Sequence, residues 1–363
     1  MINITDHGAI TSTNIELVGD EHYPAYMNVL KGYHKGVKVG MRLPVQNMAD
    51  QLFRKYPHLL DIGKGKKTGL FVGSGASEWA GMSRCMTEAT PDYSCKVGFY
   101  GLINISAGAL AHRMQIEDYL ATDATACVSS LKCIQDASFL INAGIIERAV
   151  VLGWDDQINS CVREVFGKLG ASISKEEYEN GRLPSAFRKG NGGFLVGAGI
   201  GYVILEKHGT DPIAEILGIS TLLSSSSSPI NVKSDGYIKT MRASMKDAQI
   251  QRPISSVHVL KSHGTGTCSN NEAEGTAIDK VLPHSCIVTS YKPIIGHTMG
   301  ASGVIELSML LDDYKRNSIR GILNKDHDPQ FINKETPPPG NIFMTNASGM
   351  GGVYTSMVGK WLG

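Results

Sequence analysis

Short β-branched runs alternate with longer amphipathic stretches along this 363-residue chain, and that alternation restricts its fold more than any other feature. Residues 147–153 (ERAVVLG), 201–206 (GYVILE), 257–261 (VHVLK) and 285–290 (SCIVTS) have the character of buried strands. Between them, Leu131, Ile134, Ala137 and Ile141 fall on one helical face closed by Gly144, and Val304, Leu307, Leu310 and Leu311 fall on another. Strands that alternate with helices predict an α/β architecture. Residues 207–211 (KHGTD) have turn composition and place a boundary between two halves, 1–207 and 208–363. The serine run 224–228, followed by Pro229, predicts a solvated polar loop, and Pro337, Pro338 and Pro339 a connector into the last strand.

Charge narrows the function classes. Lysine plus arginine (35) nearly equals aspartate plus glutamate (34), so no surplus of either sign points to nucleic acid or an anionic membrane. The first twenty residues lack a basic start followed by an apolar stretch, and the apolar runs are strand-length, too short to cross a bilayer. Seven cysteines, an odd set with no CxxC pair, suit free thiols in a reducing cytoplasm.

One of those thiols has the setting of a nucleophile. Residues 123–130 read DATACVSS and run directly into the first amphipathic helix, so Cys127 sits at or just before a helix N-terminus. Unpaired N–H groups and the positive end of the helix dipole there predict a lowered thiol pKa. Taken alone, Cys127 is explained better as a small core residue at a helix start. Two histidines add to it. His263 follows the strand VHVLK within KSHGTGTCSNNEAE (261–274), and Gly264 and Gly266 turn the chain sharply, leaving the imidazole and the hydroxyls of Thr265 and Thr267 at a strand's carboxyl end. His297 arrives the same way in KPIIGHTMGASG after SCIVTS, five residues beyond Lys292, with a helix predicted from near Thr298. Close to the C-terminus, TNASGMGG (345–352) predicts either a plain hairpin turn or backbone N–H groups exposed to hold an oxyanion.

In this order, DATACVSS, GGFLVGAGIG (192–201), HGTGT, KPIIGH and SGMGG resemble the β-ketoacyl synthases, the condensing enzymes of fatty acid and polyketide synthesis. The resemblance implies the thiolase fold, two similar α/β halves in five αβαβα layers. It implies Cys127 as nucleophile, His263 and His297 as the two catalytic histidines, Lys292 as the lysine ahead of the second, and Glu274 as an acid that pairs with that lysine. Thr265 and Thr267 match positions that contact the phosphopantetheine arm of an acyl carrier protein, and the N–H groups of Cys127 and Met350 match the oxyanion hole. No metal or redox cofactor is implied. The implied partners are the carrier protein and a second synthase chain, identical or not, with no nucleic acid and no membrane.

The pattern departs from the family in places. Asn271 stands where an acid is common, Ala198 where a glutamate is usual, and Ser348 and Met350 where phenylalanines are. Met350 matches an acyl gate, which a flexible thioether would soften. These changes leave Cys127, His263 and His297 intact and point to a specialised pathway. Two other readings compete: a non-catalytic, chain-length-determining subunit, which usually lacks the cysteine, and a zinc site built from the same three side chains.

Overall fold

The computed structural model describes residues 1–11, 44–77, 102–156, 160–188, 192–224, 230, 232–249, 257–322 and 331–363. Most of the serine run, 225–228, lies outside them. Among the described residues, ten strands form one sheet in the order β3-β2-β4-β5-β1-β6-β10-β9-β7-β8. The strands are β1 (Ile2–Thr11), β2 (Thr68–Gly73), β3 (Tyr119–Asp123), β4 (Arg148–Asp156), β5 (Ala198–Glu206), β6 (Ala214–Leu223), β7 (Val259–Lys261), β8 (Ile287–Thr289), β9 (Ile342–Gly349) and β10 (Val353–Trp361). Numbering each half in chain order gives 3-2-4-5-1 on one side and its mirror on the other. The pairings repeat as well: β2 is parallel to β3 and β4, as β7 is to β8 and β9, and the remaining pairs within each half are antiparallel. A short antiparallel ladder between Ile2–Ile4 and Ala214–Ile216 joins the halves.

Side-chain alternation along the strands sorts the layers, because successive residues face opposite sides of a sheet. On β4, Ala149 and Val151 face a core shared with Leu131, Ile134 and Ala137 of α3 (Ser129–Asn142) and Val304, Leu307 and Leu310 of α9 (Ser302–Lys315). Val150, Leu152 and Trp154 face the other way, onto α1 (Pro44–Lys55) and α2 (Ile103–Arg113). In the second half, Val259 and Phe343 join the α3/α9 core, whereas Leu260 and Met344 pack on α6 (Ser234–Gln249) and α7 (Cys268–Val281). The order α1/α2, sheet half, α3/α9, sheet half, α6/α7 is the five-layer αβαβα arrangement. Each fully buried Leu, Val or Ile in these faces contributes roughly 1.5–3 kcal/mol.

The four expected strands and two expected helical faces all form, with ends shifted by a few residues. Gly144 stands just past α3 with φ of 71°, as a helix-closing glycine does. The stretch between β8 and α9 is more broken than the sequence predicts. A short helix α8 (Lys292–Ile295) precedes His297, and a 3₁₀ turn (Met299–Ala301) delays α9 to Ser302. Two further short helices, α4 (Ser160–Lys168) and α5 (Lys175–Glu179), lie between β4 and β5. Among the described residues no helix is long and apolar enough to cross a membrane.

Candidate active site

The nucleophile candidate stands on a 3₁₀ turn, Ala126–Val128, between β3 and α3. Ala126 has φ of 51°, a conformation that costs an L-residue energy and lifts Cys127 out of the regular helix. Cys127 packs against an apolar cluster that includes Phe194, Val196, Ala198 and Met299. Ala198, the expected glutamate position, is therefore part of the apolar wall beside the sulfur. The lowered thiol pKa expected from the helix terminus does not arise. Burial pushes the Cys127 thiol up to about 12, Asp155 and Glu306 add to the rise, and the attraction of Lys292 opposes it without winning. Cys127 keeps a partial opening to solvent, so that rise is tempered rather than removed.

His263 follows β7 and is 4% exposed; His297 follows α8 and is 2% exposed. Their rings meet edge to face with centroids 5.7 Å apart, and Phe194 closes the other side of His297 at 5.0 Å. Phe194 thus connects the sulfur's apolar wall to the imidazoles. The Met299 N–H donates to His297 Nδ1 at 3.2 Å, which makes Nδ1 the acceptor and assigns the ring proton to Nε2. Burial, reinforced by Lys292, holds both imidazoles well below the usual histidine range, so both are neutral. His263 Nδ1 has no hydrogen-bond partner among the described residues.

The turn after His263 needs its glycines. Gly264 and Gly266 have φ of 50° and 82°, and a Cβ on Gly266 would stand 2.2 Å from Ser185 O. The Thr267 hydroxyl caps α7 by accepting from Asn270 N, and Thr265 Oγ lies 3.2 Å from Thr267 Oγ. Asn271 is used as an amide: Oδ1 accepts from Phe187 N at 3.0 Å, while Nδ2 donates to Arg188 O and Gly266 O. An aspartate could not make those two donations.

Glu274 is buried here, but not against Lys292. Its carboxylate accepts from the N–H groups of His263 (2.7 Å) and Gly264 (2.8 Å), and so fixes the histidine turn. The carboxylate on Lys292 is Glu306, at 2.7 Å, and Lys292 also donates to His263 O at 2.7 Å. The pairing fails because Glu274 rises from α7 on one side of β7 while Glu306 faces inward from α9. A single acid inside the apolar run 304–311 was the available signal for Glu306. Asp155 also escapes sequence reading. Buried at the end of β4, it accepts from Ser74 Oγ, Gly75 N and Gly300 N at 2.7–2.9 Å, tying β2 to the turn before α9.

SGMGG forms the hairpin between β9 and β10. A Cβ on Gly349 would stand 2.9 Å from Thr125 O and 3.4 Å from Cys127 N, so this hairpin abuts the cysteine's turn. Met350 is 44% exposed at its tip. Ser348 is buried, with its Oγ 2.7 Å from the Tyr237 hydroxyl. Among the described residues, no group of three histidines, cysteines or acids is placed to hold a metal, so the zinc reading finds no ligand cage.

Known proteins share this chain's sequence pattern and fold. Residues 49–210 match the β-ketoacyl synthase N-terminal domain, and residues 213–325 match the β-ketoacyl synthase C-terminal domain. The chain is 28% identical over 283 residues to a putative mitochondrial 3-oxoacyl-[acyl-carrier-protein] synthase of Schizosaccharomyces pombe, covering 71% of this chain and 65% of that protein. It is 25% identical over 246 residues to the tetracenomycin polyketide synthase ketoacyl synthase alpha subunit of Streptomyces glaucescens, covering 65% of this chain and 56% of the relative. The chain thus spans less than two thirds of the length of these relatives. A β-ketoacyl synthase from Burkholderia phymatum superposes over 100% of this chain and 99% of its own with a TM-score of 0.80 at 18% identity. A type II polyketide ketosynthase, solved with its acyl-carrier protein and bound to the hexaketide, superposes over the same shares with a TM-score of 0.81, also at 18% identity. With both domains of that family matched along most of its length, the chain belongs to the β-ketoacyl synthases.

Proposed function

We propose that this chain is a β-ketoacyl-[acyl carrier protein] synthase that condenses a Cys127-bound acyl group with a malonyl thioester. The observation that carries the reading is the packing of Cys127 on the apolar cluster that contains Phe194, whose ring meets His297 edge to face, with His263 edge-on to His297 in turn. In this scheme the residues up to 207 supply the nucleophile and those from 208 supply the histidines.

In the first step the Cys127 sulfur attacks the acyl thioester carbonyl, and the carrier leaves as a thiol. Because the free thiol is pushed up to about 12, its proton must leave as the bond forms, and the leaving thiolate takes it up. The N–H groups of Cys127 and Met350 are the proposed oxyanion donors, with Met350 also the proposed acyl gate. In the second step malonyl thioester loses its carboxylate as carbon dioxide, and the electron pair left behind forms an enolate. Neutral imidazoles suit this step: the Nε2–H of His297 donates to the enolate oxygen, His263 stands beside it, and the enolate carbon then attacks the acyl-cysteine carbonyl. The C–S bond of that thioester breaks, so that the Cys127 sulfur leaves as thiolate and regains a proton from solvent. Donors fixed in a dry site stabilise such developing charge by roughly 3–4 kcal/mol each. Lys292, held by Glu306 and His263 O, adds positive charge behind the pair. As proposed, both steps use only the chain and its substrates, without metal or redox cofactor.

The proposed partner is an acyl carrier protein whose phosphopantetheine passes Thr265 and Thr267, in a specialised polyketide or fatty-acid-like pathway of the cytoplasm. A second synthase chain, identical or not, is proposed on β3, one of the sheet's two edge strands among the described residues, where Tyr119 and Leu120 are exposed. Intact-protein mass spectrometry with a panel of acyl carriers tests the reading. Wild type gains one acyl mass and Cys127→Ala gains none while remaining folded. A wild-type chain that stays unmodified across the panel fits the non-catalytic subunit instead.

A further inference from the structure

Lys261 is a buried cation that neither step above uses. It lies on β7 two residues before His263, on the inner face where Val259 joins the apolar core, and is 1% exposed. A methionine would fill that place without the desolvation cost that a buried ion carries. Its Nζ donates to Glu306 Oε2 at 2.8 Å and to Asn346 O at 3.0 Å, while Lys292 Nζ takes the other carboxylate oxygen. Two ammoniums therefore share one carboxylate, and the cluster holds one net positive charge in the protein interior.

That charge count gives Lys261 something to do. A Lys292–Glu306 pair alone is neutral, and at the Cys127 sulfur the carboxylate opposes what the ammonium favours. A second lysine offsets the carboxylate, so Lys292 acts on the site as an uncompensated cation. Lys261 also holds the main chain of Asn346, whose Nδ2 donates to Glu274 and whose Oδ1 accepts from Ser356 Oγ. Asn346 lies three residues before Gly349, whose backbone abuts the cysteine's turn.

We propose that Lys261 is a positioning residue of the condensing site, neutralising Glu306 so that Lys292 serves Cys127 as a net cation, and anchoring β9 behind the oxyanion hairpin. The proposal deepens the condensation reading and rests on it. Burial draws Lys261 down from its ordinary value and Glu306 opposes that. Burial pushes Glu306 up, and the two lysines more than offset it. The other titratable groups facing the cluster or Cys127 are Glu274, which caps the His263 turn, Tyr291, which faces Glu306, Asp155, which pushes the Cys127 thiol up, Tyr237 beside Cys127, and the two imidazoles, which are neutral.

Site-resolved alkylation of Cys127 by iodoacetamide in the full chain, normalised to the exposed Cys268, reads thiolate without any acyl carrier. Lys261→Met is expected to slow alkylation about tenfold at a given pH, a displacement of the profile by about one unit. Adding Glu306→Gln removes the carboxylate as well, restores one net positive charge on Lys292, and is expected to return the wild-type rate. Wild-type alkylation in Lys261→Met overturns the proposal. So does a double variant that fails to fold or stays slow, since a merely structural role would not be rescued by removing a second charge. If Lys261→Met alone does not fold, the double variant against wild type decides in the same way. A wild-type chain that takes no acyl group overturns the condensation reading separately, and the alkylation rates still decide Lys261.

Discussion

The helices α3 and α9 pack against each other at the centre of the molecule, each 14 residues long and each entered through a 3₁₀ turn. The first residue of each turn, Ala126 or Met299, has positive φ, 51° and 45°. Placing Ser129 on Ser302 puts Cys127 on Gly300 and Cys133 on Glu306. One backbone device therefore carries a nucleophile in the first half and a charge cluster in the second. Space explains the first difference: a Cβ on Gly300 would stand 2.2 Å from Gly75 N and 2.5 Å from the Ser74 carbonyl carbon. Where the main chain of the other half passes that closely, no reactive side chain fits. Partners explain the second, since Glu306 faces two lysines, whereas burial raises the thiol of Cys133 and leaves it inert.

Exchanging residues between the halves breaks the comparison most strongly at the cluster. Glu306→Cys gives α9 the residue of α3 and strands two buried ammoniums, and the expected loss is about 3–5 kcal/mol in urea unfolding. Wild-type stability in that variant would mean that the lysines are not charged. Gly300→Ala is next. Main chain cannot yield as a flexible side chain does, and Gly300 N must keep its bond to Asp155, so a cost of about 1–3 kcal/mol is expected by the same measurement. Cys127→Ala, the matched change in the first half, removes atoms from a partly open site and should cost less than Gly300→Ala; the reverse order would refute the spatial account.

The sequence carried the strands with continuous β-branched runs, the two central helices, and the cysteine and histidines at strand ends, because local pattern and glycine turns mark them. It did not carry β1, whose alternation is interrupted by His7 and Gly8 yet which joins the halves at the middle of the sheet. Strand order escapes local pattern for the same reason: it is set by contacts between distant segments. At the site, the family motif led to Glu274 as the acid on Lys292, whereas the contact belongs to Glu306 fourteen residues on, which only the packing of α9 under β7 reveals. The thiol's raised pKa was hidden likewise. A helix terminus can be read from residues 123–130, but the apolar wall that outweighs it comes from Phe194, Val196 and Met299.

The smallest expected effect separates the halves by their response to acid. His263 and His297 are held well below the ordinary value of 6.5, first by burial and then by Lys292, so the folded chain stays unprotonated where the unfolded chain binds protons. Their contribution to stability is complete above about pH 6.5 and is lost as pH falls from there toward the folded values. Each approaches a slope of about 1.4 kcal/mol per pH unit. The first half offers His7 on β1, drawn down by burial but opposed by Asp312 and Asp6. Urea unfolding of His297→Asn and His7→Asn between about pH 7 and pH 5 compares them directly. His297→Asn should remove close to one full histidine's slope and His7→Asn less, because two carboxylates help the folded state to accept that proton. Equal flattening by both would mean that the lysine cluster adds nothing to what burial already imposes on the second half.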